Sequence, residues 1–125
     1  MKHYKLLFST FDRITIPIIL PNLSKYEIGV VVNNLRKKIS LNENEISYLE
    51  LKVVQTNDGQ TIYNWNKENE ETKEFALNQI EFDMIRGSLT KLNNEEKLPI
   101  NDNWLALYDK FVKKTKKIKM KTKRI

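Results

Sequence analysis

The fold class of this 125-residue chain is decided by the stretch KVVQTNDGQTIYNW, residues 52–65. Two runs rich in β-branched and aromatic residues, 52–55 and 61–65, flank Asn57-Asp58-Gly59. A turn of this composition between two such runs is a strong signal for a β-hairpin. Helical spacing prevails on both sides of it. We therefore predict an α+β fold with four or five helices around a small antiparallel, hairpin-based sheet.

The segment after the hairpin predicts a loop, a strand and two helices. The acidic stretch 68–74 is expected to form an exposed loop. Residues 74–77 are expected to add a third strand, since an isolated hairpin is marginal in water. Asn78 with Glu81 forms a capping box for a helix that contains Gly87, for which we predict a packing reason. Its predicted buried stripe is Ile80, Met84, Leu89 and Leu92. Asn101 caps the last helix, and its predicted core face is Trp104, Leu107, Tyr108 and Phe111.

The segment before the hairpin contains two further capping boxes. Ser24 with Glu27 predicts a helix that ends at about Ile39, and Ser40 with Glu43 predicts a short one. The residues predicted to face inward are Ile28, Val31, Leu35 and Ile39 in the first helix, and Ile46 and Leu49 in the second. Residues 11–20 fit a helix capped by Thr10, while the β-branched residues 14–16 suit a strand. We favour the helix.

Composition excludes several classes of protein. The chain has no cysteine, so disulfide scaffolds, thiolate metal sites and cysteine nucleophiles are excluded, and a reducing cytoplasm is the expected location. Asp12 and Arg13 interrupt the apolar N-terminal residues, so we expect neither a secretory signal nor a membrane span, and no membrane partner. One domain is expected over residues 1–112, followed by a basic tail, 113–125.

The charges divide sharply along the chain. Residues 1–109 carry 13 Lys and Arg against 16 Asp and Glu, a net charge of −3, whereas residues 110–125 carry nine cations and no acid. The net charge of +6 is therefore a property of the C-terminal end. A mildly acidic body with a cationic extension predicts that polyanions are contacted through the extension alone.

Catalytic chemistry has few candidates here. His3, the single histidine, lies at the N-terminus. The carboxylates at 43, 45, 70 and 71 lie in cap or loop contexts that favour solvation. Asn57-Asp58-Gly59 lacks the spaced acids of a calcium loop, and the three glycines are too far apart for a phosphate cradle. We predict no enzymatic activity, no metal and no cofactor.

Two aromatic residues, Tyr63 and Trp65, share one face of the second hairpin strand. Such a pair stacks unpaired bases where a basic groove lies beside it. The flanking charges here are mostly acidic, which favours packing of both rings against the sheet or core. Base stacking remains the alternative.

The basic tail is the main candidate binding site. Its predicted nucleic-acid contacts are Lys113, Lys114, Lys116, Lys117, Lys119, Lys121, Lys123 and Arg124. Cations in this density bind phosphates by counterion release, without reading sequence. The alternative is a solubilising extension that meets polyanions incidentally. Residues 117–122 also alternate with period two, so that Ile118 and Met120 are able to add as a strand to an open sheet edge.

The body resembles a loose family of small uncharacterised proteins of bacteriophages and mobile elements. The resemblance rests on Phe11-Asp12-Arg13 with Ile19-Leu20-Pro21, Leu35-Arg36-Lys37-Lys38-Ile39, Trp65 after a hairpin, Ile80-Glu81-Phe82, and Lys97-Leu98 leading to Leu107-Tyr108-Asp109-Lys110-Phe111. It implies a phage-encoded accessory protein in a bacterial cytoplasm or a virion. It carries no activity that transfers to this chain.

Three functions follow as hypotheses. The first is a non-enzymatic accessory protein whose acidic body docks a protein partner while its tail contacts nucleic acid. The second is a protein-interaction module, such as an inhibitor of a host defence or replication complex. The third is a minor virion component.

Overall fold

A computed structural model describes residues 3–113 as an α+β fold, which confirms the predicted class. The strands are β1 (His3–Phe8), β2 (Lys52–Gln55), β3 (Thr61–Asn64) and β4 (Lys73–Asn78), and the helices are α1 (Thr10–Ile19), α2 (Tyr26–Ile39), α3 (Glu43–Leu49), α4 (Gln79–Asn94) and α5 (Asp102–Tyr108). A 3-10 turn, Lys67–Asn69, precedes β4, and a π-helical turn, Asp109–Lys113, follows α5. Within the described part of the chain, no helix is both long and apolar enough to cross a membrane.

The strands form two separate antiparallel pairs rather than one three-stranded sheet. β2 pairs with β3 as the predicted hairpin, with Lys52 opposite Asn64. The third strand predicted after the hairpin exists as β4, but it pairs with β1, with His3 opposite Asn78. The prediction of its partner was therefore wrong. Phe75 and Leu77 of β4 are buried, so the strand pairs where its apolar face meets the core.

No prediction covered β1, although its sequence carries the signal. Tyr4, Leu6 and Phe8 alternate with the exposed residues His3, Lys5 and Leu7. Tyr4 and Leu6 are partly buried and Phe8 is fully buried at the end of the strand, so burial follows the period of two of a β-strand. The N-terminal segment thus forms one half of the core sheet.

A group of aromatic rings forms the centre of the core. The Phe8 ring centroid lies 5.1 Å from that of Phe75 and 6.0 Å from that of Phe111. The Phe82 ring centroid lies 5.2 Å from that of Phe111, and the Tyr4 ring stacks on Phe82 at a centroid distance of 4.0 Å. These rings come from β1, β4, α4 and the last helical turn, so both ends of the described chain meet in one core.

Helix caps were predicted with mixed success. Asn78 accepts from the Glu81 amide and forms its capping box as predicted, and Asn101 caps α5. The cap of α1 is Ser9 rather than Thr10, and that of α3 is Asn42 with Glu45 rather than Ser40 with Glu43. The box at Ser24 is absent, because α2 starts after Lys25 without a side-chain cap.

The buried helix stripes also differ from the prediction. In α2 the core takes Val32, Leu35 and Ile39, whereas Ile28 stays exposed. In α4 Leu89 is buried as predicted, but the core also takes Phe82 and Ile85, whereas the predicted Ile80 is 61% exposed. Each helix carries two overlapping sets of apolar residues at helical spacing, and tertiary packing selects one of them. In α3, Leu49 is buried as predicted but Ile46 is exposed.

Gly87 lies in α4 on an exposed surface, and among the described residues no heavy atom beyond its chain neighbours and its own helix backbone would lie within 4 Å of a Cβ at this position. The predicted packing reason is therefore wrong. Gly59 differs, because its φ of +85° lies in the left-handed region that favours glycine, as the hairpin turn requires.

Candidate interaction surface

The predicted tail site begins where the described structure ends. Lys113 closes the π-helical turn, and the other seven predicted contacts, Lys114 to Arg124, lie outside the described residues. That turn is anchored to the body: Phe111 is fully buried, and Lys110 Nζ lies 2.6 Å from both Asp12 Oδ2 and the Leu7 carbonyl oxygen. The tail therefore leaves a fixed point beside β1.

Four carboxylates of the described residues serve the fold. The buried Asp12 and Glu81 close capping boxes and pair with Lys110 and Lys38. A hydrogen bond from Arg13 lowers the pKa of Glu45, and one from the Thr56 hydroxyl lowers the pKa of Asp58. A lowered pKa keeps a carboxyl group ionised near neutral pH, which suits an acceptor rather than a proton donor.

Metal binding finds no support in residues 3–113. This part of the chain holds no group of three or more His, Cys, Asp or Glu side chains that could bind a metal ion. His3 lies exposed at the start of β1.

Arg13 joins the body to α3. It is only 6% exposed, and its Nε donates to the Ile39 carbonyl while one terminal nitrogen donates to the Ser40 carbonyl. Both terminal nitrogens bind the Glu45 carboxylate, one at 2.9 Å. A planar guanidinium suits this bidentate contact. Arg13 thus connects α1, the end of α2 and the start of α3.

An open cavity of about 320 Å³ lies between α1, α3 and the 3-10 turn. Its lining includes Thr10, Arg13, Asn42, Tyr48 and Asn69. Half of its polar lining side chains are already engaged: Arg13 and Glu45 with each other, Asn42 as the cap of α3, and Asn69 by donating to the Tyr48 carbonyl. These groups hold the fold together rather than facing a ligand.

Tyr63 and Trp65 do not enter the core. Both side chains are only half-buried. The Trp65 indole donates to Glu70 Oε1 at 2.5 Å, and Lys67 Nζ lies 3.2 Å from its ring centroid. The lysine covers the ring, which is a cation–π contact within the fold. This arrangement supports local packing of Trp65, with Lys67 on one face of its ring.

The hairpin carries a group of exposed apolar residues on two paired strands. Val53 is 56% exposed and Val54 47%, and opposite them Ile62 is 42% exposed and Tyr63 half-buried. Val53 pairs with Tyr63 and Val54 with Ile62, so each face of the ribbon carries one apolar cross-strand pair. Exposed apolar pairs on both faces make the ribbon a candidate interaction surface.

The core sheet differs, because lysines cover its two edges. Lys38 Nζ donates to the Ala76 carbonyl of β4 at 2.5 Å, and Lys110 Nζ donates to the Leu7 carbonyl of β1. Edge carbonyls that are bound by lysine do not accept an added strand. Each edge of the core sheet therefore has one carbonyl that a lysine occupies, whereas within residues 3–113 no lysine donates to a carbonyl on the hairpin edges.

Sequence reasoning missed the open hairpin edges and the Arg13–Glu45 pair. The pair left no local signal, since its members are 32 positions apart. The free edges of the hairpin were not predicted, because we expected β4 to pair with one of its strands.

No family model, curated protein or solved structure matches this chain.

Proposed function

We propose that this protein is a non-enzymatic accessory binding protein whose basic tail contacts nucleic acid while its acidic body docks a protein partner. The observation that carries the proposal is the charge separation: residues 113–125 hold eight cations and no acid, after a body (residues 1–112) of net charge −2. Phosphate backbones are the polyanions for which such a segment has the strongest general affinity.

The contacts of the folded body support the choice of the tail. Several body cations are engaged in the fold rather than grouped as a basic patch. Arg36 donates to the carbonyls of Pro17, Leu20 and Pro21, which end α1 and begin the next loop. Arg13, Lys38 and Lys110 bind carbonyl and carboxylate oxygens in the same way. Nucleic-acid affinity is therefore expected from the tail and little from these side chains.

Binding by the tail has a defined salt signature. Release of condensed counterions makes the logarithm of the association constant fall linearly with the logarithm of salt concentration, with a slope of about −0.9 per neutralised phosphate on duplex DNA. Eight cations set an upper limit of about −7 for that slope. Because phosphate contacts position without specifying bases, duplexes of different sequence are expected to bind alike.

The test compares full-length protein with a variant in which all eight tail cations are replaced by glutamine, over a salt series with short DNA and RNA duplexes. The variant is expected to lose binding at physiological salt with an unchanged unfolding transition. A matched control replaces the seven tail lysines by arginine and is expected to keep the slope. Retained affinity in the glutamine variant would refute the tail as the nucleic-acid site.

A second candidate function, the protein-interaction module, is favoured by one specific surface. Leu23 is 93% exposed in the loop before α2, and Tyr26 (81%) and Val30 (41%) follow on one face of the helix. The test is capture from nuclease-treated host lysate with wild type and with Leu23→Ser, Tyr26→Ser protein. A partner retained by wild type and lost by the variant favours this function, whereas equal recovery contradicts it.

A further inference from the structure

The outer edge of β2 carries free backbone groups. The Thr56 amide donates to the Gln60 carbonyl, and in an antiparallel ribbon the residues bonded to the partner strand alternate. Val53 and Gln55 therefore direct their N–H and C=O groups away from β3. Among residues 3–113, no backbone group pairs with these outward groups. All four residues of β2 are exposed, which leaves this edge accessible.

The ribbon also lacks the packing that stabilises a pair of strands. An isolated two-stranded hairpin is marginal in water, and a third strand with an apolar face, or a covering helix, is needed for stability. The next strand along the chain, β4, pairs with β1 instead. Val54 and Ile62, a cross-strand pair on one face, stay 47% and 42% exposed. Within residues 3–113 the ribbon therefore has no further strand to complete it.

A second copy of β2 fits this edge by symmetry. Antiparallel pairing about a two-fold axis at Val54 places Val53 of each copy opposite Gln55 of the other. These residues have outward groups, so the two pairs exchange four main-chain hydrogen bonds. Val54 then lies against Val54 of the second copy in a non-hydrogen-bonded pair, where side chains approach most closely. Together with Ile62 of each copy, they form one apolar stripe across four strands.

The charges of two ribbons complement each other in this register. Lys52 of one copy lies opposite Thr56 of the other, and the Thr56 hydroxyl donates to the Asp58 carboxylate. Lys52 and Thr56 lie on the same face of β2, so each Lys52 ammonium comes near the Asp58 carboxylate of the second copy. Glu50 does not oppose this contact, because its carboxylate accepts from the Asn66 side chain, beyond the end of β3.

The β3 edge suits a second copy less well. Residues 67–71, shortly after β3, hold three glutamates and one lysine. Antiparallel pairing of two β3 strands brings the turn of each copy, with Asp58, toward this acidic segment of the other. On the β2 edge the same turn meets Lys52 instead. An edge lysine disfavours the addition of most strands, so its pairing with Asp58 selects a second copy over other partners.

We propose that this protein forms a weak two-fold dimer in which the outer edges of two β2 strands pair into a four-stranded sheet. One short strand pair is smaller than a standard interface of roughly 800 Å² per partner, so the dimer is expected to dissociate on dilution. The pairing itself needs no nucleic acid, and a dimer presents two basic tails instead of one.

The test is sedimentation and amide hydrogen exchange of the full-length protein from about 10 µM to about 1 mM. A salt concentration of about 0.15 M screens the repulsion between chains of net charge +6. The Val53 and Gln55 amides are expected to exchange about tenfold more slowly at the highest concentration. The outward amides of β3, at Thr61 and Tyr63, are the internal control and stay unchanged. Exchange at Val53 and Gln55 that does not depend on concentration would overturn the proposal, as would protection confined to β3.

Charge reversal tests whether the contact lies between copies. Lys52→Glu and Asp58→Lys each bring like charges together in their own dimer, so each variant alone is expected to lose the concentration-dependent protection. An equimolar mixture of the two variants forms both ion pairs between unlike copies and is expected to regain it. An absence of recovery in the mixture would show that Lys52 and Asp58 do not meet across copies, and the register would fail.

Two matched variants test the position of the axis. Val54→Lys puts two ammonium groups against each other at the two-fold axis and is expected to abolish association. Ile62→Lys makes the same change at its cross-strand partner on the outer strand, and association is expected to remain. If Ile62→Lys loses association as fully as Val54→Lys, the axis does not lie at Val54 and the proposal fails. The glutamine variant of the tail is expected to keep the dimer, which separates this proposal from the previous one.

Discussion

The two sheets of this protein have the same local structure and opposite surroundings. β1 and β4 are distant in sequence, and their apolar faces meet in the aromatic core while lysines bind their edge carbonyls. β2 and β3 are joined by a short turn; within residues 3–113 no other strand pairs with them, and apolar side chains on both of their faces are exposed. Backbone pairing alone therefore does not make a strand part of the core. Burial of alternate side chains does, and this difference is measurable by mutation.

The largest expected difference comes from one truncation in each sheet. Phe8→Ala removes a fully buried ring and is expected to lower the free energy of unfolding by about 3–5 kcal/mol. Val53→Ala removes two methyl groups from a side chain that is 56% exposed, so a change within about 0.5 kcal/mol is expected. Urea unfolding of both variants against wild type measures the contrast.

Phe8→Leu is the control for a variant that fails to fold, because it keeps most of the buried volume and is expected to cost less than Phe8→Ala. Comparable losses for Phe8→Ala and Val53→Ala would mean that the ribbon contributes to the core as much as β1 does, and the distinction between the sheets would fail.

The contrast between the sheets also explains what the sequence predicted. The hairpin was predictable because its turn residues and its strands are adjacent, and the caps at Asn78 and Asn101 are equally local signals. The partner of β4 was not, since the choice between β1 and β3 depends on where Phe75 and Leu77 are buried. Within helices, spacing limits the core face to two candidate stripes, and only packing against the aromatic cluster selects between them.

A smaller effect is expected at the contact between α1 of the body and α3, the helix that precedes the hairpin. Glu45 is half-buried and binds Arg13, and this hydrogen bond lowers its pKa below the usual 4.5. A carboxyl group whose pKa is lower in the folded state stabilises the fold above its unfolded pKa, and the stabilisation is lost as pH falls through the folded pKa. Glu45→Gln is therefore expected to cost about 1–2 kcal/mol at pH 7, with the difference from wild type decreasing as the pH falls below 4.5.

Chemical unfolding from pH 7 down to pH 3 measures this difference. Glu43→Gln is the matched control, because Glu43 is exposed in the same first turn of α3. A constant difference between Glu45→Gln and wild type across the pH range would show that the carboxylate charge does not stabilise the joint. The sequence alone could not predict this joint, because it depends on the end of α2 meeting α1 and α3 in space.

The last contrast comes from one substitution made at two glycines. Gly59→Ala places a side chain at a φ of +85° in the hairpin turn and is expected to destabilise the ribbon by about 1–2 kcal/mol. Gly87→Ala in α4 meets no atom within 4 Å and is expected to stabilise the body by about 0.5–1 kcal/mol. Amide exchange at Val54 and Ile62 measures the first effect, and global unfolding measures the second.

The sign of each effect separates local backbone requirements from packing. If Gly59→Ala accelerates exchange at Val54 and Ile62 but leaves global unfolding unchanged, the hairpin opens independently of the aromatic core, as its exposed faces imply. If instead the global transition shifts by the full amount, the ribbon and the core unfold as one unit. If Gly87→Ala instead lowers the stability, the alanine side chain must meet a neighbour that the open surroundings of Gly87 do not show. The predicted packing reason for Gly87 would then hold after all.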